Sequence, residues 1–151
     1  NFGLYRERTG SITFIAENSQ QVDIVASQAM SIARQIYSMP PAHGALLVSL
    51  ILGDDQLRAN WQVELEAVRL RIKSMRSLLT NAIQGNSAGI DFSHIEKQNG
   101  MFSFLGISTV QLDRLREEFG IYIVSSTRVN LAGINSRNID HISESINTVL
   151  K

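Results

Sequence analysis

Apolar residues recur at Leu57, Trp61, Leu65, Val68, Ile72, Met75, Leu79 and Ala82, in steps of four or three. That is the period of one helical face, and it predicts a long helix over residues 54–85. Arg58, Glu64, Glu66, Arg69, Arg71, Lys73 and Arg76 fill the positions between. Asp54 and Asp55 open the segment, where acids complement a helix N-terminus. Gly85 is the stop, since glycine turns left-handed at little cost. At 1.5 Å per residue the helix would run about 45 Å. Such a length suits a bridge between two packing units; on periodicity alone it also suits one arm of a coiled coil.

The flanks read differently. Residues 11–16, Ser-Ile-Thr-Phe-Ile-Ala, are rich in β-branched and aromatic side chains and predict a strand. Ser19 is the expected cap of a helix over about 20–36, with Val22, Val25, Ala29, Ile32, Ala33 and Ile36 on one face. Pro40 and Pro41 end it, because proline lacks the backbone donor and disfavours a helical predecessor. The apolar run 42–52 fits a short buried helix opened by Pro41 or a buried strand, which periodicity does not separate.

Past Gly85 the texture changes. A small, polar loop is expected over 85–89, and short strand-like runs over 92–95 and 101–105. Asn99-Gly100 between those runs is a hairpin-turn signal. Ser108 or Thr109 caps a helix through about Glu118, with Val110, Leu112, Leu115 and Phe119 apolar and Gly120 as its stop. Runs 121–124 and 129–132 read as strands. Asn135 or Ser136 starts a final helix with Ile139, Ile142, Ile146 and Val149 on one face. The second half is thus an α/β layer of its own.

Composition narrows the function classes. Of 151 residues, 44% are hydrophobic and 19% charged, as in a globular protein. Fourteen basic side chains balance fourteen acidic ones, so no net positive field favours nucleic acid or an anionic membrane. There is no cysteine, which excludes disulfides and thiolate metal sites. No apolar run reaches the roughly 18 residues of a membrane span, and no signal-peptide pattern opens the chain; a cytoplasmic protein is the expectation. The chain begins at Asn1 rather than an initiator methionine, as expected of a cut piece or a processed chain.

Zinc-protease, phosphate-loop, dinucleotide and nucleophile-elbow fingerprints are absent. His43, His94 and His141 lie far apart and read as ordinary surface or interface histidines. Arg8, Arg34 and Arg128 each fall at or near the end of a predicted element. An arginine held on a strand edge can grip a carboxylate with two parallel hydrogen bonds. The alternative for each is a surface ion pair of little consequence.

Six segments, in order, carry a resemblance. Asn1-Phe2-Gly3-Leu4-Tyr5-x-Glu7-Arg8-x-Gly10 resembles the segment directly after the cofactor lysine of class I aspartate and aromatic aminotransferases. Tyr37-Ser38-Met39-Pro40-Pro41-Ala42-His43-Gly44 is similar to their interface loop, and Leu57-Arg58-Ala59-x-Trp61-x-x-Glu64-Leu65 to the opening of their long helix. Gln98-Asn99-Gly100-Met101-Phe102-Ser103-Phe104 resembles their strand beside the substrate. Leu115-Arg116-Glu117-Glu118-Phe119-Gly120 and Arg128-Val129-Asn130-x-Ala132-Gly133 complete the series.

The resemblance implies an α/β fold: the carboxyl-terminal part of a fold type I transferase that depends on pyridoxal phosphate. Residues 1–53 would end the large cofactor-binding domain, 54–85 would form the connecting helix and 86–151 the small α/β domain. Residues 1–52 would expose apolar surface when alone. It also implies transfer of an amino group between an amino acid and a 2-oxo acid, by a homodimer. By position Arg8 would bind the cofactor phosphate, and Ser38, in the loop crossing the dimer interface, would be a second cofactor-binding residue. Arg128 would clamp the substrate α-carboxylate. Arg34 would read a second carboxylate in the neighbouring subunit's site, and Phe102 would pack near substrate and cofactor. Met39 stands where many relatives carry a polar residue, and Thr127 where glycine is common. The Schiff-base lysine would precede Asn1, and none of Lys73, Lys97 and Lys151 lies in that motif. The expectation is therefore a portion of an aminotransferase, inactive without the missing amino-terminal portion of its parent. A non-catalytic α/β interaction module, with its arginines in surface pairs, is the second reading.

Overall fold

The computed structural model describes residues 2–85 and 88–151. Helix α1 spans Ser19–Tyr37, α2 His43–Gly53, α3 Asp55–Ile83, α4 Ser93–Lys97, α5 Thr109–Phe119 and α6 Ile139–Val149. Strands β1 (Phe102–Phe104) and β2 (Arg128–Asn130) pair antiparallel, and a 3-10 turn over Leu131–Gly133 follows β2. The chain divides into two compact units, residues 1–65 and 66–151.

In the first unit, α1 begins one residue earlier than the Ser19 cap implies. Asn18 is the cap, its side chain accepting from Gln21 N at 3.0 Å. The 42–52 run is a helix, not a strand. The expected strand at 11–16 is irregular. Strand propensity reflects fit to a pleated, partly buried surface, and among the described residues of this unit no strand offers one: Ile12 is 76% and Ile15 94% exposed. Phe2 stacks on Trp61 with ring centroids 4.6 Å apart. Much of the apolar surface is open, as Ile24, Met30, Ile32 and Ile36 on α1 and Leu46 and Leu50 on α2 are all exposed.

The long helix forms, with Asp54 Oδ1 accepting from Leu57 N at 2.9 Å at its start and Gly85 at φ +74° just past its end. Its apolar stripe is not uniformly used. Val68 is exposed, whereas Leu79 and Ile83 are buried, with Ile72, Met75 and Ala82 half-buried beside them. That lower stretch packs into the second unit's core with Phe92, Ile95, Leu105, Leu115, Leu131 and Ile146.

Three expected strands of this unit take other forms. Residues 92–95 enter a short helix because Asp91 accepts from Ser93 N (2.8 Å) and Ser93 Oγ (2.9 Å), bending the chain locally. Gly100 does turn left-handed, at φ +84°, but no hairpin results, since β1 pairs with β2. Residues 121–124 are irregular, although Ile121 and Ile123 still pack on the core. The 129–132 strand is shortened because Asn130 Oδ1 accepts from Ala132 N at 3.0 Å, turning the backbone into the 3-10 turn.

Ser108 caps α5 in a reciprocal capping box with Gln111, and Gly120 closes it at φ +66°. The last helix starts later than Asn135 or Ser136. Asn135 Oδ1 accepts from Arg137 N (2.9 Å) and Asn138 Oδ1 from Asn135 N (2.8 Å), an asparagine-stapled turn that delays the helix to Ile139. Asn1 and part of the expected 85–89 loop lie outside the described residues. Among the described residues no helix is long and apolar enough to cross a membrane.

Candidate functional site

The β1–β2 register pairs Phe102 with Asn130, Ser103 with Val129 and Phe104 with Arg128. Side chains alternate across a strand, so Ser103 is buried while Phe102, Phe104, Arg128 and Asn130 are exposed. Arg128 leans diagonally from its partner Phe104 onto Phe102, its guanidinium carbon 4.6 Å from the ring centroid. The guanidinium carbon therefore lies over the face of the Phe102 ring. No carboxylate pairs with Arg128 among the described residues. A cation oriented by an aromatic face, with its fork free, is the geometry that accepts a carboxylate bidentately. Arg128 and Phe102 also border a pocket of about 380 Å³ whose other walls include Leu105, Ile121, Ile123 and Val129.

The backbone leading into Arg128 is unusual. Thr127 is at φ +64°, a left-handed conformation that a β-branched residue rarely adopts. It is held there from both sides: its carbonyl accepts from Leu105 N (3.0 Å) and its hydroxyl from Gly106 N (3.0 Å). Thr127 therefore occupies a place where glycine would need no such support.

The far edge of β1 is closed by side chains. Met101 O and Leu105 N bond toward the β2 side, to Leu131 N and Thr127 O. Antiparallel alternation then turns Phe102 O and Phe104 O outward. Phe102 O accepts from Arg76 Nη2 at 2.8 Å, and Phe104 O from His94 Nε2 at 2.8 Å. Arg76 is 2% exposed and donates as well to Ile95 O and Gly100 O, each at 2.7 Å. Burial pulls it below the ordinary arginine pKa, yet arginine stays cationic in proteins. On the opposite flank Arg71 reaches Ala132 O (3.2 Å) and Ile134 O (3.0 Å).

The other sequence-expected residues belong to the first unit. Arg8 sits on the turn over residues 5–8 at φ +52°, its guanidinium 6.0 Å from the Tyr5 ring centroid. Ser38 closes α1 at φ +61°, its N–H donating to Arg34 O at 3.0 Å, which sets it one turn beyond Arg34. Arg8 and Arg34 are exposed and have no ion pair among the described residues. Two donor-only cations and a hydroxyl suit anionic groups such as phosphate and carboxylate. The Arg8 turn is seated on α2: His43 Nδ1 lies 3.2 Å from Glu7 Oε2, and buried Gly44 faces Glu7 and Thr9 so closely that a β-carbon there would meet Thr9 Oγ1 at 2.0 Å.

Residues 1–146 match the family described as Aminotransferase class I and II. The chain belongs to this family. It is 51% identical over 150 residues to the aspartate aminotransferase of Escherichia coli, covering 99% of this chain and 38% of that protein. It is 43% identical over 146 residues to the aromatic-amino-acid aminotransferase of Pseudomonas aeruginosa, covering 97% of this chain and 37% of the relative. Among solved structures it superposes on the Burkholderia pseudomallei aromatic-amino-acid aminotransferase, covalently bound to pyridoxal phosphate, with TM-score 0.84 and 42% identity over 98% of this chain and 37% of that one. The chain thus spans a little under two-fifths of the length of these aminotransferases, and its mixed helix–strand architecture is a part of their fold.

One buried residue at the edge of β1, Arg76, is not among the candidates that the sequence offers. It falls among the polar positions between the stripe residues, yet it lies four after Ile72 and three before Leu79. By helical period that puts it on the apolar face, and a charge there is a signal in itself.

Proposed function

We propose that this chain is the carboxyl-terminal portion of a cytoplasmic, homodimeric aminotransferase that moves amino groups between aspartate or aromatic amino acids and 2-oxo acids. When bound, pyridoxal phosphate supplies the electron sink for that transfer. The chain's own residues supply orientation and charge. Arg8, with Ser38, holds the cofactor phosphate; their exposed donors on left-handed backbone fit that role. Arg128 receives the substrate α-carboxylate, and the Phe102 ring against its guanidinium helps to orient the fork. Arg34 reaches the neighbouring subunit's site and reads a second carboxylate where the substrate has one. The exposed apolar side chains of α1 and α2 favour association over a free monomer.

The observation that carries this reading is the 4.6 Å stack of Arg128 on Phe102, with no ion partner for the guanidinium among the described residues. The test is Arg128→Leu in the full-length protein. Losing two charge-assisted hydrogen bonds should lower kcat/KM for aspartate and phenylalanine alike, on the order of 10²–10³-fold. Pyridoxal phosphate binding, read from its visible absorbance, should persist. Unchanged kcat/KM, or a full-length protein that never takes up pyridoxal phosphate, would end the proposal.

A further inference from the structure

Arg76 is a buried cation with no ion pair to a carboxylate among the described residues, and its hydrogen bonds run to one place. Nη1 donates to Ile95 O at 2.7 Å and lies 3.4 Å from Ser103 Oγ. Nη2 donates to Gly100 O at 2.7 Å and to Phe102 O at 2.8 Å. One guanidinium therefore joins α4, the left-handed turn at Gly100 and the first residue of β1. Burying an arginine is costly unless its donors are satisfied, and apolar packing alone would have filled this space more simply. What the guanidinium provides is position. β1 is three residues long and pairs with β2 on one edge. On its other edge, Arg76 holds the carbonyl of the residue whose ring carries Arg128.

We propose that Arg76 is a positioning residue: by fixing the backbone at Gly100 and Phe102 it sets the Phe102 ring, and through that ring the plane in which the Arg128 fork meets a carboxylate. The proposal rests on the reading of Arg128 as the carboxylate anchor. Arg76 sits on α3, so the same bonds tie that helix to the anchor. Lysine has a single ammonium and cannot span the same carbonyls in the guanidinium plane. It conserves charge while losing geometry.

The test uses the full-length protein carrying this sequence, with pyridoxal phosphate bound, and 3-indolepropionate as a carboxylate that has no amino group to transfer. Calorimetric Kd values are compared for the unsubstituted protein, Arg76→Lys, Phe102→Leu, the double variant and Arg128→Leu, each with its melting temperature. Arg76→Lys should weaken binding about tenfold. Its effect should largely vanish in the Phe102→Leu background, because the two act on one contact. A lower melting temperature with unchanged Kd, or effects that add fully, assigns Arg76 a structural role only and overturns the proposal. Unchanged binding in Arg128→Leu would instead overturn the carboxylate-anchor reading. Should Arg76→Lys fail to fold, hydrogen exchange in the unsubstituted protein decides. The ligand should slow exchange in residues 100–105 and in residues 74–78 together. Protection confined to the strand would also overturn it.

Discussion

The Thr127 hydroxyl accepts a hydrogen bond from the Gly106 backbone N–H at 3.0 Å, and that bond steadies a left-handed threonine directly before Arg128. Glycine could take the same backbone without strain, but it would lose the bond and loosen the unfolded chain further. These terms are each about 1 kcal/mol and oppose one another. Thr127→Gly should therefore change stability by less than about 1 kcal/mol. Thr127→Val keeps the strain and loses the bond, and should destabilise by about 1–2 kcal/mol. Urea unfolding of both variants gives the order; a valine variant as stable as the glycine one would contradict this account of the turn.

Gly44 carries the Arg8 turn. A methyl group there would also meet Glu7 Cβ at 2.7 Å, in a contact that Glu7 relieves only by moving its backbone. Overpacking of this kind costs about 1–3 kcal/mol. Gly44→Ala should displace residues 5–10 and weaken pyridoxal phosphate binding in the full-length protein roughly tenfold or more. Cofactor titration checks it, with Gly53→Ala, which meets nothing within 4 Å, as the control.

On the proposed reading, Arg34 distinguishes substrates by charge. Arg34→Leu should lower kcat/KM for aspartate about 100-fold and for phenylalanine by only a few-fold, because an apolar ring has no second carboxylate to lose. Equal losses for the two substrates would refute its assignment as the side-chain reader.

Asp91 links α4 to pH. Ser93 N, and then Ser93 Oγ, donate to its carboxylate and hold its pKa below the usual aspartate value. A lowered folded pKa adds stability above the unfolded value, and that stability is lost as pH falls through the folded one. Asp91→Asn should therefore cost stability at pH 7, and the gap to the unsubstituted protein should narrow below about pH 4. Urea midpoints across pH 3–7 test it; a gap independent of pH would show that charge plays no part.

Local chemistry was the legible part. The helix stops at Gly85 and Gly120, the Ser108 cap and the long amphipathic run all depend on neighbours within a turn or two of the chain, so the sequence states them directly. Arg128 and Phe102 were legible as candidates, because their segments resemble those of the family.

Tertiary structure decided what depends on distant partners. Residues 11–16 and 121–124 have strand-like composition, but a strand exists only where another backbone completes its hydrogen bonds. The pairing of β1 with β2 joins residues 26 or so apart in the chain, and only that pairing lays Arg128 across Phe102. Helical period puts Arg76 on the apolar face of α3, but the sequence does not say which groups a charge there would bond. Arg76 becomes a buried donor to β1 and its flanks because the fold brings the carbonyls of Ile95, Gly100 and Phe102 to one point on α3, and no periodicity along the chain encodes that convergence.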